Sequence, residues 1–318
     1  MADLSSYTPI YIRANGNDST GDGSINAPFL TAQIAFERAY DISQYAGGNE
    51  LLVLDFGIGN FGGVNLATAD ASEWPNNIAV RGISSEESFL GGVNGNGIEG
   101  IFDYETYTYI VEPTPGSHIS ITSNRTINLG NITANGGNSG GGYAGGMNGR
   151  NIELTDIVVN NINSNGNDTV GGNNSGAGGT ILLVRSIIKG EIISSGGFSN
   201  GSNAGQGGSI TIIDSTTRTI SANGGSGDYG GNGGSIIITN SRSGNITSSG
   251  GYGGSGFSGY SNGSNGSIIV NNGATGNIIA GTVTLIGYVP IPNSIAAHID
   301  ATQLIRSTCV NSTLLGVV

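Results

Sequence analysis

The chain has 318 residues, of which 59 are glycine and 7 proline; 10% are charged, and the formal net charge is −12. That balance argues against nucleic-acid and anionic-membrane binding, which need clustered Lys and Arg, whereas Lys189 is the single lysine present. No Gly-X-Y period supports a collagen helix, and 36% apolar residues, rich in isoleucine, are more than a disordered chain usually carries.

Taken in chain order, the first segment predicts a strand at "IYI", a turn-rich loop at "GNDSTGDGS" (16–24), and a helix over Thr31–Ser43, where Ile34, Ala35, Arg38 and Ala39 fall at roughly helical spacing. Asp18 and Asp22 sit in that loop among Asn, Ser and Gly, but without the regular spacing and distal Glu of a calcium loop, so it reads as an Asx- and Gly-based turn. Two strand-rich pieces follow, "ELLVLDFGIGNF" and "NNIAVRGISSEESFLGG". The N-terminus shows no basic-then-apolar leader pattern, and no run reaches membrane-spanning length, so a soluble chain made in the cytosol is expected. The lone Cys309 leaves no internal disulfide framework and no cysteine-based metal cluster.

The order "IYIRANGNDSTGDGSINAPFLTAQIAFERA" followed by "NIAVRGISSEESFL" resembles the opening of pectin-lyase-like right-handed parallel β-helix proteins. It is especially similar to glycine-rich virion structural proteins of tailed phages, cyanophages included, over about residues 9–92. The resemblance implies a right-handed parallel β-helix whose helix caps the open end. It also implies a non-enzymatic virion component (tail fibre, adhesin or capsid decoration), located in the virion, contacting other virion proteins and forming a homo-oligomer, commonly a trimer. Fold transfers along such a resemblance more safely than function.

An internal repeat then dominates. "HISITS" (118), "NIELTD" (151), "TILLVR" (180), "SITIID" (209), "SIIITN" (235) and "SIIVNN" (267) start 33, 29, 29, 26 and 32 residues apart. Their second and fourth positions are apolar, a period of two that reads as strand. Stacked in register, one short strand per unit makes a parallel sheet with an inward ladder of Ile152, Ile181, Ile210, Ile236 and Ile268. A second motif supplies another ladder, Ile132, Ile162, Ile192, Ile220, Ile246 and Ile278. The fold class is therefore all-β, a parallel β-helix with stacked, polyglycine-II-like loops. Its parts are an N-terminal strand, loop and capping helix (1–50), first coils (51–117), the glycine-rich repeat (118–282), and a C-terminal cap or docking and oligomerisation segment (283–318).

The sixth position of the motif holds Asp156, Arg185 and Asp214 in consecutive units, which predicts an exposed charge ladder. Four glycine tracts (136–149, 196–208, 224–234 and 246–270) should leave the same edge of successive coils and hydrogen bond to one another. Their rings, Tyr143, Phe198, Tyr229, Tyr252, Phe257 and Tyr260, either form a contact surface or anchor the layer.

Catalysis by a β-helix lyase or glycosidase needs converging carboxylates. The candidate pairs are Glu86 with Glu87, Asp103 with Glu105, and Asp156 with Asp214; Glu86 and Glu87 are sequence neighbours that need not face one cleft, Asp156 and Asp214 fall two coils apart with Arg185 between them, and His118 and His298 lie far apart. A non-enzymatic protein without metal or cofactor is expected. The alternatives are a tailspike that binds or depolymerises host surface glycan and, third, an extracellular bacterial adhesin.

Overall fold

The computed structural model is a parallel β-solenoid of about seven turns. It describes residues 1–45, 50–69, 71–84, 86–99, 101–103, 105–106, 108–138, 145–169, 173–254, 261–286 and 295–297. Among these, the sole α-helix is Ala32–Tyr45, close to the span predicted.

The N-terminal coils are joined by three parallel strands, Thr8–Ile12, Leu52–Phe56 and Ile78–Gly82. The helix buries Ala35, Phe36 and Ala39 in the same core cluster as Ile12, Phe56 and Trp74, with the Phe36 and Trp74 rings 4.5 Å apart. Its start is set by the preceding loop. Asp18 Oδ1 accepts from the Leu30 and Thr31 backbone N–H groups at 2.8 and 3.0 Å, and Oδ2 accepts from Thr31 Oγ1. Those are donors that a helix N-terminus leaves without intrahelical partners. Asp22 Oδ1 accepts from Ser24 N–H, and this bond holds its carboxyl below the usual range. The two aspartates of the loop thus organise its backbone.

From residue 118 every coil repeats one path: a long strand, a sharp corner, two short runs, and an excursion of glycine-rich chain. The long strands pair Ile119↔Ile152↔Ile181↔Ile210↔Ile236↔Ile268↔Val283. The second ladder pairs Ile132↔Ile162↔Ile192↔Ile220↔Ile246↔Ile278. All these isoleucines are fully buried, each contributing about 1.5–3 kcal/mol of apolar transfer. A third row, Leu129↔Val159↔Ile188, lies between them. The column beside it, Asn128↔Val158↔Ile187, continues as isolated bridges through Thr216, Arg242 and Ala274.

The corner falls on the sixth motif position. Asp156, Arg185, Asp214, Asn240 and Asn272 all take left-handed backbone, with φ between 49° and 54°. Asp and Asn reach this region more readily than other side chains. A serine follows in three of the coils. Ser186 N–H donates to Ser215 Oγ and Ser215 N–H to Ser241 Oγ, both at 2.9 Å, while each hydroxyl turns back onto a carbonyl two residues earlier.

The glycine excursions lie against one another. Each runs outward and returns, and a continuous file of backbone hydrogen bonds crosses both legs of every coil. Gly263 donates to Gly251, Gly251 to Gly231, Gly231 to Gly225, Gly225 to Gly205, Gly205 to Gly197, Gly197 to Gly176, Gly176 to Asn167, and Asn167 to Met147, at 2.8–3.0 Å. The donors alternate with a period of three. In one outgoing leg Gly196 and Ser199 donate to the next coil, Gly197 donates across to the previous one, and the Phe198 N–H is taken by Asp168 Oδ1. Three residues per turn is the period of the polyproline-II helix. Cross-file positions admit no side chain, since a Cβ at Gly205 would meet Gly176 O at 1.8 Å and one at Gly251 would meet Gly225 O at 1.7 Å.

Gly205→Ala and Gly231→Ala should each destabilise the fold by about 1–3 kcal/mol through forced separation of backbones. Gly145→Ala, where a Cβ meets only Asn174 O at 3.0 Å, should cost clearly less. Thermal melts of the three variants check the difference, and equal losses would contradict the packing of the layer.

Candidate functional site

The corner row places the expected charge ladder differently from the sequence reading. Asp156 is fully buried, not exposed, and its carboxylate lies between two arginines. Arg185 Nε donates to both Asp156 oxygens at 3.2 Å, and Nη2 donates to Oδ2 at 2.9 Å. Arg125 Nε lies 3.6 Å from Oδ1, and Arg125 Nη2 donates to the Arg185 carbonyl. The Met1 nitrogen is 3.8 Å from Oδ1 on the open side. Asp214 is exposed and forms no ion pair among the described residues. Ion pairs therefore join Arg125, Asp156 and Arg185, while Asp214, the expected third member, acts on Arg185 through its charge without a close ion pair. The reason is local: the corner after His118–Thr122 is three residues longer than the one after Ile152–Thr155, and this carries Arg125 over Asp156. Hydrogen bonds from Arg185 to Asp156, and that carboxylate's charge, hold the guanidinium above its ordinary pKa.

The other carboxylate pairs do not converge into a cleft. Glu86, Glu87 and Glu105 are exposed, the Asp103 side chain is outside the described residues, and Asp214 is two coils from Asp156. Among the described residues no three His, Cys, Asp or Glu side chains come together. His118 is half-buried at the start of its strand, and His298 and Cys309 lie outside the described residues. No described helix is long and apolar enough to cross a membrane.

Of the six rings, Tyr143, Phe257 and Tyr260 lie outside the described residues. Phe198, Tyr229 and Tyr252 are 47%, 44% and 78% exposed. They are not one row. The bridges Thr169↔Ser199 and Gly227↔Gly253, with the Ser199-to-Ser226 bond, order Asp168, Phe198, Ser226 and Tyr252 along the outgoing legs. Tyr229 belongs to the returning legs, between Asn203 and Ser261. Phe198 and Tyr252 are thus two coils apart, about 9.6 Å at the usual strand spacing.

Beside the outgoing legs runs a polar groove of about 490 Å³. Its floor is a column of asparagines. Asn135 N–H donates to Asn96 Oδ1, Asn165 N–H to Asn135 Oδ1, and Ser195 N–H to Asn165 Oδ1, at 3.0, 2.7 and 2.9 Å. Because each Oδ1 accepts from the backbone of the next coil, the Nδ2 groups of Asn96, Asn135 and Asn165 are the donors these groove-lining amides have left, one per coil over three coils. Glu99 and Asp168 supply acceptors on its wall, and Ile193 an apolar patch. The arrangement can meet a chain of hydroxyl groups, each able to accept from an amide and donate to a carboxylate.

Comparison with known protein families, with curated proteins and with solved structures finds no match.

Sequence reasoning missed three things here. The tract 166–179 joins the layer through Asn167 and Gly176, and "GAGG" at 176–179 was its visible signal. The asparagine column could have been found from Asn135, Asn165 and Asn223, each three residues after a ladder isoleucine. Arg125 carried no signal, because the motif pointed to Ser123 instead.

Arg185→Ala should destabilise the protein by about 1–3 kcal/mol, less than a fully buried pair because Arg185 is itself 42% exposed. Adding Asp156→Asn should recover part of the loss by removing the stranded charge. Denaturant melts of the single and double variants measure both, and no recovery would show that Arg185 acts through packing alone.

Proposed function

We propose that this chain is a non-enzymatic structural component of a phage virion, a tail-fibre, adhesin or capsid-decoration protein that contacts other virion proteins. The observation that carries the reading is the glycine layer. A solenoid core already buries its ladders, so an additional slab of backbone held by its own hydrogen-bonded file serves to hold an edge rigid and to present what lies on it. The similarity of residues 9–92 to virion structural proteins points the same way. The test is mass spectrometry and immuno-electron microscopy of purified particles from the source: regular labelling at one site on the particle is expected, and absence from the particles overturns the assignment. Incubation with host surface polysaccharide should release no new reducing ends or unsaturated products.

A second reading, glycan binding by the same surface, is favoured by the asparagine groove. Amide donors repeating about every 4.8 Å, with rings two coils apart on the neighbouring legs, suit an extended saccharide chain. Asn165→Asp keeps the oxygen that accepts from Ser195 N–H and removes the donor, so it should leave the melting temperature nearly unchanged while weakening oligosaccharide binding about tenfold. Calorimetric titration with neutral oligosaccharides reads the change, and equal affinity of both proteins would remove the groove as the site.

A further inference from the structure

The outward face of the long-strand sheet is unlike a solvated sheet face. Across Thr180–Val184, Ser209–Ile213, Ser235–Thr239, Ser267–Asn271 and Thr282–Ile286 there is no charged residue, although the chain as a whole carries −12. The inward positions of these strands are the buried ladders. The outward ones include Leu182, Val184, Ile213, Ile237 and Ile269, all half-buried by strand neighbours alone, and Ile286, which is 44% exposed. Register brings them into one patch: Leu182 pairs with Thr211, Thr211 with Ile237, and Ile237 with Ile269, while Val184 pairs with Ile213. Antiparallel sheets commonly face water with polar residues, whereas parallel sheets are usually covered on both faces.

The molecule covers such residues where it can. On the N-terminal coil the outward Val53 and Ala79 are fully buried under Leu4, with Ala2 and Tyr7 packed alongside. No described segment does this for the face from Thr180 to Ile286.

We propose that this uncharged face is the contact surface of a homodimer, in which two copies pack their long-strand sheets face to face. Three observations select a second copy as the occupant. The face repeats one strand pattern from coil to coil, so a second copy turned by two-fold symmetry presents the same residues to it. It is the part of an acidic chain where two like-charged copies can approach without opposing carboxylates, whereas a basic partner would be drawn to the charged surfaces instead. The uncharged strands, Thr180–Val184 to Thr282–Ile286, number five and span about 24 Å by about 16 Å, about 800 Å² between two copies, which suits a weak, concentration-dependent contact. A face paired with its own copy by two-fold symmetry is filled by one partner, so the geometry gives a dimer rather than the trimer that the virion resemblance implies.

The test uses the full chain. Light scattering coupled to gel filtration, over a concentration series, should give a dimer whose dissociation constant falls as NaCl rises, because salt screens the repulsion of two acidic chains. Ile237→Lys with Ile269→Lys should weaken the dimer at least about 100-fold by placing unpaired charges in its centre. Should that variant lose its fold by circular dichroism, Ile237→Thr with Ile269→Thr keeps β-branched residues at both positions and should still weaken association about tenfold. In a Cys309→Ser background, Ile237→Cys should be trapped as a covalent dimer under mild oxidation. A monomer at every concentration, a trimeric mass, association that weakens with salt, or a dimer indifferent to the threonine pair would each overturn the proposal.

Discussion

Parallel backbone pairing from coil to coil is the constraint on which the rest of this structure depends. Once Ile152 is hydrogen-bonded in register with Ile181, and Ile181 with Ile210, every other residue of those coils is also placed about one strand spacing from its counterpart. Like then stacks on like: isoleucine inside, left-handed corners at one edge, asparagine amides along the groove, and glycine at the far side. A side chain in such a column is chosen less for its own environment than for what its neighbours one coil away permit.

The glycine layer shows the strictest form of this. The outgoing and returning legs approach until the carbonyl of one occupies the space of the other's missing Cβ, as at Gly196 and Gly224, and returning legs of successive coils do the same at Gly205 and Gly231. In exchange each peptide in the file both donates and accepts, and hydrogen bonds in such chains polarise one another. A segment such as 261–266, which by composition reads as flexible linker, is held between Gly231 and Ile268 by this file and by the next isoleucine of the ladder. The core itself tolerates less ideal packing. Thr217 and Thr275 occupy the row that earlier coils fill with Leu129, Val159 and Ile188, and their buried hydroxyls have no hydrogen-bond partner in the structure.

Electrostatics enter the stack sparingly. Asp156 is the single fully buried carboxylate among the described residues, and it is satisfied by arginines from the coils on either side. The same economy leaves the outer face of the later strands, from Thr180–Val184 on, without charge, and there isoleucine, leucine and valine alternate with serine, threonine and asparagine. The hydrogen-bonded glycine edge, the amide groove and the uncharged strand face are then three surfaces of one solenoid.

Much of the architecture was legible in the amino-acid sequence, because a period of two repeated at intervals of 26–33 residues has one economical packing, a stack of parallel strands. That pattern determined the isoleucine ladders, and the helical spacing of Ile34, Ala35, Arg38 and Ala39 determined the N-terminal helix. The short third row escaped notice, since Val158–Val159 and Ile187–Ile188 are too brief to show a period, and later coils hold only isolated bridges there. The partner of Asp156 was decided by the tertiary structure alone: three extra residues in one corner change which side chain lies one coil away, and a repeat motif aligned on its strand cannot register an insertion in the turn that follows. That Leu4 covers the outward Val53 and Ala79 was decided there too, because sequence alternation tells inside from outside but not whether a distant segment returns to lie over the outside.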